Sequence, residues 1–119
     1  MTISFKDNTL TINGQLIQLP WPLLDAIEEG SQVFALFDPD SYLLNPTYKE
    51  MRRKGAPAMR NLVAFGKDGT KLWEAEFPEP SDYYYRISSS SPLVANSFSS
   101  YRCEINPING TILKKEFLK

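Results

Sequence analysis

One hairpin-like motif occurs twice in this chain and constrains its fold more than any other feature. The segments NLVAFGKDGTKLWEAEF (61–77) and YRCEINPINGTILKKEF (101–117) each place Gly-Thr-x-Leu between two runs with alternating apolar residues. Asp68-Gly69 and Asn109-Gly110 are dipeptides that tolerate the positive φ angles of a tight hairpin turn. We therefore predict two antiparallel hairpins whose turn glycines lie 110 − 69 = 41 residues apart, close to the repeat length of a propeller blade.

The remaining sequence predicts a mainly β fold: an antiparallel β-meander with one or two short α-helices covering the sheet, and α+β as the alternative. Asn13-Gly14 marks a further hairpin near the N-terminus. Strands are expected near residues 2–5, 9–12, 15–19, 31–37, 60–66, 71–77, 83–87, 92–97, 100–105 and 111–117.

Two segments are predicted to be helical. PWPLLDAIEEG (20–30) has apolar residues at helical spacing and a glycine suited to a helix C-terminus, which favours a short amphipathic helix. In NPTYKEMRRKGAP (45–57), Asn45 is suited to cap a helix and Gly55 to stop it, which favours a short basic helix or an ordered loop. DPDS (38–41) is expected to be a turn.

Alternation within the strands assigns side chains to faces. Trp73, Ala75 and Phe77 are expected on one face and the neighbouring glutamates on the other. The same pattern places Tyr101, Cys103 and Ile105 on the apolar face of their strand. We therefore expect sheets that are covered on one face and wet on the other.

Length and charge place the chain among ordinary globular proteins. Its 119 residues fit one domain, 1–119, and 14 acidic against 13 basic residues give a formal charge of −1. This balance argues against nucleic acid or an anionic membrane surface as a partner. With neither a leader-like N-terminus nor an apolar run long enough to span a bilayer, we expect a cytoplasmic protein.

The composition also disfavours common catalytic chemistry. The sequence has no histidine and a single cysteine, Cys103, which removes the usual histidine base, the Ser-His and Cys-His arrangements, thiol metal clusters and internal disulfides. The serine run 88–91 is not part of a Ser-x-x-Lys motif. We expect no enzyme activity, no cofactor and no metal, and a buried, inert Cys103.

Candidate partner-binding residues come from surface chemistry. If Tyr83 and Tyr85 join the core, then Tyr84 and Arg86 face outward, as interface hot spots do. The predicted acidic surface and the proline-flanked Trp21 complete the set: Glu74, Glu76, Asp25, Glu28 and Glu29. The basic segment 49–54 is more consistent with a solvated helix face than with a phosphate site.

The repeated segment NLVAFGKDGTKLWEAEF resembles the strand-turn-strand signature of blades in quinoprotein-type propellers. Together with YRCEINPINGTILKKEFLK (101–119) it is also similar to small uncharacterised bacterial proteins of the immunity type, found beside toxin genes. The resemblance covers roughly residues 59–119 and implies no catalytic residue. The second copy departs from the blade pattern, because Lys114 stands where the first copy has Trp73.

The sequence therefore favours a non-catalytic protein that binds a cognate protein partner, in its most specific form an immunity protein that neutralises a bacterial toxin. The oligomeric state is left open between monomer and homodimer. The alternative is a module for a small molecule or glycan, in which Trp21 and Tyr83–Tyr85 stack on a ring. An enzyme using only carboxylate, lysine or tyrosine side chains is a third class, which loss of activity in Glu74→Gln would support.

Overall fold

A computed structural model describes residues 2–118 and has a mainly β architecture with two short helices. The elements are β1 (Ile3–Lys6), β2 (Thr9–Ile12), β3 (Gln15–Gln18), β4 (Leu23–Glu29), β5 (Gln32–Phe37), α1 (Pro39–Leu43), α2 (Pro46–Arg53), β6 (Leu62–Gly66), β7 (Lys71–Glu74), β8 (Tyr84–Ser90), β9 (Leu93–Ser97), β10 (Tyr101–Ile105) and β11 (Ile112–Phe117). The predicted mainly antiparallel β class is confirmed. Within this range neither helix has the length and apolar character needed to cross a membrane.

The strands form three open antiparallel sheets, each a meander in chain order. The first sheet is β1-β2-β3, the second is β4-β5-β6-β7, and the third is β8-β9-β10-β11. The second sheet lies in the middle, since one apolar cluster joins it to the first sheet and another joins it to the third. The molecule is therefore layered, and its central strands are covered on both faces.

Alternating residues of β5 supply both clusters. Val33, Ala35 and Phe37 pack toward the first sheet and the helices, whereas Phe34 and Leu36 pack toward the third sheet. This explains why the segment reads as a continuous apolar run. The alternation predicted for 71–77 and 101–105 is confirmed, since Trp73 and Cys103 are buried and Glu74 and Arg102 are exposed. It does not extend to β5, predicted as a buried, continuously apolar strand, which is covered on both faces.

The repeated hairpins occupy equivalent places in two sheets. The first is β6-β7 and the second is β10-β11, in each case the third and fourth strands of a four-stranded meander. Each turn glycine also packs against the preceding sheet: a Cβ on Gly69 would lie 2.8 Å from Ile17, and one on Gly110 would lie 2.6 Å from Trp73. The motif thus serves both turn formation and contact between layers.

Residues 23–29 form strand β4, so the prediction of a helix over 20–30 is wrong. β4 pairs with β5, with a register shift between Leu23 and Asp25, and a two-residue turn follows it. Gly30 has φ +59° in this turn. A helix C-terminus and a hairpin turn both favour a glycine with positive φ, so this signal could not separate the two structures. Pairing with the apolar β5 decided between them.

The second predicted helix is confirmed as α2. The Asn45 side chain accepts a hydrogen bond from the Tyr48 backbone N–H at 3.1 Å, and Pro46 occupies the first turn. The segment predicted as a turn at 38–41 begins the short helix α1, where the Asp38 side chain accepts from the Asp40 N–H at 3.1 Å. Both helices lie beside the apolar cluster that joins the first and second sheets.

Strand β8 does not have the predicted facing. Tyr84 is fully buried, Tyr83 is half-buried, and Tyr85 is exposed. The ladder with β9 shifts register between Tyr84 and Arg86, so the two residues no longer share a face. A β-bulge therefore overturned the simple alternation, turning Tyr84 inward while Arg86 stays exposed.

Candidate functional site: a tyrosine-lined pocket

A half-enclosed cavity of about 190 Å³ lies beside the two helices. We call it the tyrosine pocket; it is lined by Tyr42, Leu43, Tyr48, Arg52, Ala58, Met59, Ser81, Asp82 and Tyr83. Three larger hollows, with volumes of about 360 to 400 Å³, are more open surface grooves. The tyrosine pocket combines aromatic walls with convergent polar groups, which is the usual composition of a binding site.

Helix capping brings the first two tyrosines together. Asp38 and Asn45 fix the starts of α1 and α2, and Tyr42 and Tyr48 follow within the first turns. Their rings meet edge-on, with centroids 5.2 Å apart at 80°. The Trp21 ring packs against both, with its centroid 6.0 Å from that of Tyr42 and 6.4 Å from that of Tyr48. The aromatic wall is therefore rigid and continuous with the core.

The hydroxyl of Tyr42 is the unusual atom of the site. Tyr42 is only 1% exposed, and its Oη has no hydrogen-bond partner within residues 2–118. Burial raises the pKa of this phenol, with further contributions from Tyr48, Tyr83 and Asp38. Buried polar atoms normally have partners, so this one calls for a functional explanation.

Two further polar groups of the wall are held in place by the chain around them. The Tyr48 hydroxyl oxygen accepts from the Met59 backbone N–H at 2.9 Å. The Arg52 guanidinium donates to the carbonyl of Ala56 at 2.5 Å and to the hydroxyl of Ser81 at 2.8 Å. The phenol and the guanidinium thus present hydrogen-bond donors from fixed positions.

Asp82 organises the opposite wall. It is 6% exposed, and its carboxylate accepts from the backbone N–H of Tyr83 at 2.8 Å and of Ser99 at 3.2 Å, and from the Ser99 hydroxyl. These contacts tie the segment before β8 to the turn between β9 and β10. The carboxylate is therefore largely occupied by the protein itself.

An aromatic stack, which we call the aromatic rim, begins at Tyr83 on the pocket wall. Tyr83 and Phe98 lie parallel within 20°, with ring centroids 5.0 Å apart, and the Phe98 backbone N–H donates to the Tyr83 carbonyl at 2.9 Å. Phe98 is 67% exposed. An exposed aromatic ring is thus fixed against Tyr83, which lines the pocket.

Tyr84, predicted to contact a partner, is a core residue. Its hydroxyl donates to the Glu76 carbonyl at 2.7 Å, and its backbone N–H donates to the Asn61 side chain at 2.9 Å. Burial raises its pKa. At zero exposure Tyr84 has no surface to offer a partner, so its predicted exposure is wrong.

The predicted acidic surface is divided among separate places. Asp25, Glu28 and Glu29 lie on β4, at one edge of the middle sheet, and Glu74 lies on β7 at the other edge. Asp25, Glu28 and Glu29 would have shared one face of a helix, but on a strand Glu28 points away from its neighbour Glu29. The prediction of one patch is therefore wrong, because β4 is not helical.

The individual carboxylates near β7 have local partners. Glu74 is exposed and pairs with Lys71 at 2.9 Å. Glu76 is half-buried, and its side chain accepts from the Ile112 backbone N–H at 2.6 Å, which joins the second and third sheets. Glu76 thus has a structural role.

The remaining sequence candidates fall in three environments. Trp21 is half-buried against the tyrosines and acts as a cover on the core. Arg86 is exposed, and its partner in the ladder, Asn96, is two residues before Phe98. In the basic segment, Arg53 and Lys54 pair with Glu50 on the solvent side of α2, whereas Arg52 turns to the pocket.

The structure also bears on possible metal ligands and on the single cysteine. Among the residues described, no group of three or more histidine, cysteine, aspartate or glutamate side chains converges to hold a metal ion. Cys103 is buried, as predicted, and burial raises the pKa of its thiol.

Sequence reasoning missed Tyr42, Tyr48 and Asn61. The two tyrosines each follow a capping residue and Pro at the first helical position, a signal that locates helix starts but not a shared pocket. Asn61 is fully buried, and its side chain bonds the carbonyls of Phe37 and Tyr84 and the N–H of Tyr84. It links the middle sheet to the third and so positions the strand that follows Tyr83.

Comparison with known proteins gives one family. No curated protein and no solved structure matches the chain. A family model described as a domain of unknown function, DUF7957, matches residues 1–117. Because the match spans nearly the whole sequence, this chain is a member of the DUF7957 family.

Proposed function

We propose that this chain is a non-catalytic binding protein that contacts a protein partner through the tyrosine pocket and its aromatic rim. The observation that carries the proposal is the exposed Phe98 ring, which stacks on Tyr83, a residue of the pocket wall. Interface hot spots are enriched in aromatic residues and pair with pockets that a partner side chain fills. An adjacent stack and pocket supply both features.

The rim is also well ordered before any partner arrives. Asp82 fixes the backbone at Tyr83, and the bond from Phe98 to the Tyr83 carbonyl joins the two strands beneath the stack. A preorganised surface loses less conformational entropy on binding. Arg86 is exposed close to this rim and stays a predicted contact.

In its most specific form, the proposal is that the partner is a bacterial toxin domain that this chain neutralises. The resemblance of the two hairpin segments to immunity-type proteins supports this form. The polar groups of the pocket support a binding role over a catalytic one. They are phenols, a guanidinium and a carboxylate, and that carboxylate is already occupied by Ser99 and backbone N–H groups.

The test is co-expression with the product of the adjacent upstream reading frame, scored by pull-down and by rescue of growth. Phe98→Ser is expected to abolish capture while leaving urea stability nearly unchanged, because the ring is exposed. Ile108→Ser is the matched control, because Ile108 is also an exposed apolar residue, at 84%, but lies beyond the opposite end of β10 from Phe98. Equal capture by both variants would contradict the proposed surface.

A free small molecule is the second candidate, favoured by the three tyrosines that line the half-enclosed cavity. A rise in melting temperature with a metabolite, together with no effect of Phe98→Ser on its binding, would favour this candidate over a protein partner.

A further inference from the structure

We propose that β11 is an interface through which two copies of this chain pair edge to edge, so that two four-stranded sheets join into one continuous antiparallel sheet. This inference goes beyond the proposed function, because it involves no other protein. It is carried by three observations: the free edge of β11, the direction of its backbone groups, and the self-complementary order of its side chains.

Strand β11 is the outermost strand of the third sheet, and within residues 2–118 it pairs with β10 alone. Residues 113–117 are all exposed, and Leu113 and Phe117 are each 56% exposed. The opposite edge of the sheet, β8, is interrupted by two register shifts, whereas the ladder of β11 is regular from Lys114 to Phe117. A regular, accessible edge strand is a template for pairing with another chain.

The backbone of β11 limits the possible registers. Residues of an antiparallel strand direct their backbone groups alternately toward one neighbouring strand and toward the other side. The Leu118 N–H donates to the Ser100 carbonyl at 2.7 Å, so this residue faces β10. By alternation Glu116 also faces β10, whereas Lys115 and Phe117 direct their backbone groups to the free side. A second strand must therefore bond to Lys115 and Phe117.

The start of the strand fixes the centre of the pairing. The Ile112 N–H already donates to the Glu76 side chain at 2.6 Å, so the free stretch of the edge is 113–117. Its midpoint is Lys115, which faces the free side. Two copies related by a two-fold axis at Lys115 overlap over this whole stretch, as a symmetric dimer requires.

This register matches the side chains of the strand with one another. Lys114 of one copy lies opposite Glu116 of the other, and the pair occurs twice. Leu113 of one copy lies opposite Phe117 of the other, again twice. Opposite charges and apolar pairs directly across an antiparallel ladder are stabilising. The strand is therefore complementary to itself.

The paired charges also have neighbours within their own chain. Arg102 is the ladder neighbour of Glu116, Glu104 is the neighbour of Lys114, and the four side chains surround one hollow on the outer face of the sheet. None of the four forms an ion pair with another described residue. Pairing extends each row so that its charges alternate in sign from one copy to the next.

The axis places Lys115 opposite its own copy, and like charges directly across a ladder are unfavourable. The Lys115 ammonium is directed to its own chain, however. Its Nζ donates to the Pro78 carbonyl at 3.1 Å and lies 4.9 Å from the centroid of the Tyr101 ring. These contacts offset the repulsion at the centre of the pairing.

An open groove accommodates the apolar part of the pairing. It has a volume of about 370 Å³ and is lined by Glu76, Phe77, Pro78 and residues 112–115. The Phe117 ring of the second copy lies opposite Leu113, beside this groove. Two short strands form an interface at the small end of the specific range, below about 1,200 Å² in total, so we expect a dissociation constant of about 10 to 100 µM.

Sedimentation equilibrium of the purified protein at about 5 to 500 µM measures this constant. Lys115→Pro removes the two central N–H donors without removing a bond to β10, and proline is tolerated at such edge positions. It is expected to weaken the dimer by at least about tenfold, the effect of two hydrogen bonds. Lys115→Ala is the matched control, because it removes the same side chain, keeps the N–H and is expected to dimerise at least as tightly as the parent protein.

Cysteine crosslinking tests the register, and it decides the question even where Lys115→Pro lowers stability. Directly opposite residues in a hydrogen-bonded pair have Cα atoms about 5.5 Å apart, which a disulfide spans, so Lys115→Cys is expected to form a covalent dimer in air. Glu116→Cys is the matched control. Its two copies are offset by two residues along the strands, which places their Cα atoms about 8 Å apart, beyond the reach of a disulfide.

Three results would each overturn the inference: a monomeric parent protein at every concentration, equal dissociation constants for Lys115→Pro and Lys115→Ala, or equal crosslinking of Lys115→Cys and Glu116→Cys. The first result would leave the edge of β11 to a strand of a different protein.

Discussion

Two buried tyrosines allow a comparison of how much a hydroxyl contributes to stability when it has a hydrogen-bond partner in the fold and when it has none. Tyr42 and Tyr84 are 1% and 0% exposed, yet only the Tyr84 hydroxyl has a partner, the Glu76 carbonyl at 2.7 Å. Tyrosine to phenylalanine removes one oxygen in each case and leaves the ring in place. The two variants should therefore move stability in different directions.

The expected magnitudes follow from these contacts. Tyr84→Phe loses a net hydrogen bond and leaves a buried carbonyl without its partner, which should lower the free energy of unfolding by about 1 to 2 kcal/mol. Tyr42→Phe removes a buried hydroxyl that has no protein partner, which should leave that free energy unchanged or raise it by up to about 1 kcal/mol. The variants should differ by about 2 kcal/mol.

Urea denaturation at 25 °C, followed by circular dichroism, measures both values. The slope of free energy against urea should stay constant, since neither change alters the surface exposed on unfolding. If Tyr42→Phe destabilises as much as Tyr84→Phe, the Tyr42 hydroxyl is bonded within the fold. The Tyr42 hydroxyl would then not be an unsatisfied buried group.

Other substitutions and alkaline pH test the packing. Gly110→Ala should cost about 3 kcal/mol in urea titrations, since a Cβ there would lie 2.6 Å from an indole carbon at φ +79°. Gly14→Ala, at φ +83° with no atom within 4 Å, should show only the backbone cost of about 1 kcal/mol, and equal losses would contradict the close contact. Asn61→Ala should cost about 3 kcal/mol for three buried hydrogen bonds, and a loss below about 1 kcal/mol would show that the bonds between layers contribute little. Burial raises the folded-state pKa of Tyr42 and Tyr84 above the ordinary value of 10.0, so the unfolded chain ionises first and stability should fall as pH rises above about 10. Tyr84→Phe should lower this slope in urea titrations between about pH 10 and 12 without abolishing it, because Tyr42, Tyr83 and Tyr101 also have raised pKa values, and an unchanged slope would refute the assignment.

Local sequence signals predicted the hairpins and one helix correctly. Asn13-Gly14, Asp68-Gly69 and Asn109-Gly110 all lie in turns between paired strands. Asn45 caps α2 as predicted. These signals succeed because turn and cap conformations are fixed by the residues within them.

The predictions failed where two local structures share one signal. Gly30 suits both a helix end and a hairpin turn, and only pairing with β5 made residues 23–29 a strand. The bulge after Tyr84 is set by pairing with β9, and it reversed the facing of that tyrosine. The first error divided the predicted acidic surface, and the second removed Tyr84 from the predicted contacts.

The sequence by itself determined the class of the fold, its turns and its lack of histidine chemistry, because these depend on residue type and on neighbours along the chain. Only the tertiary structure decided that the repeated hairpins occupy two stacked sheets and that Tyr42, Tyr48 and Tyr83 meet around one cavity. Tyr42 and Tyr83 are 41 residues apart in the sequence. Their meeting depends on how helices and sheet layers pack, and no spacing along the chain carries that information.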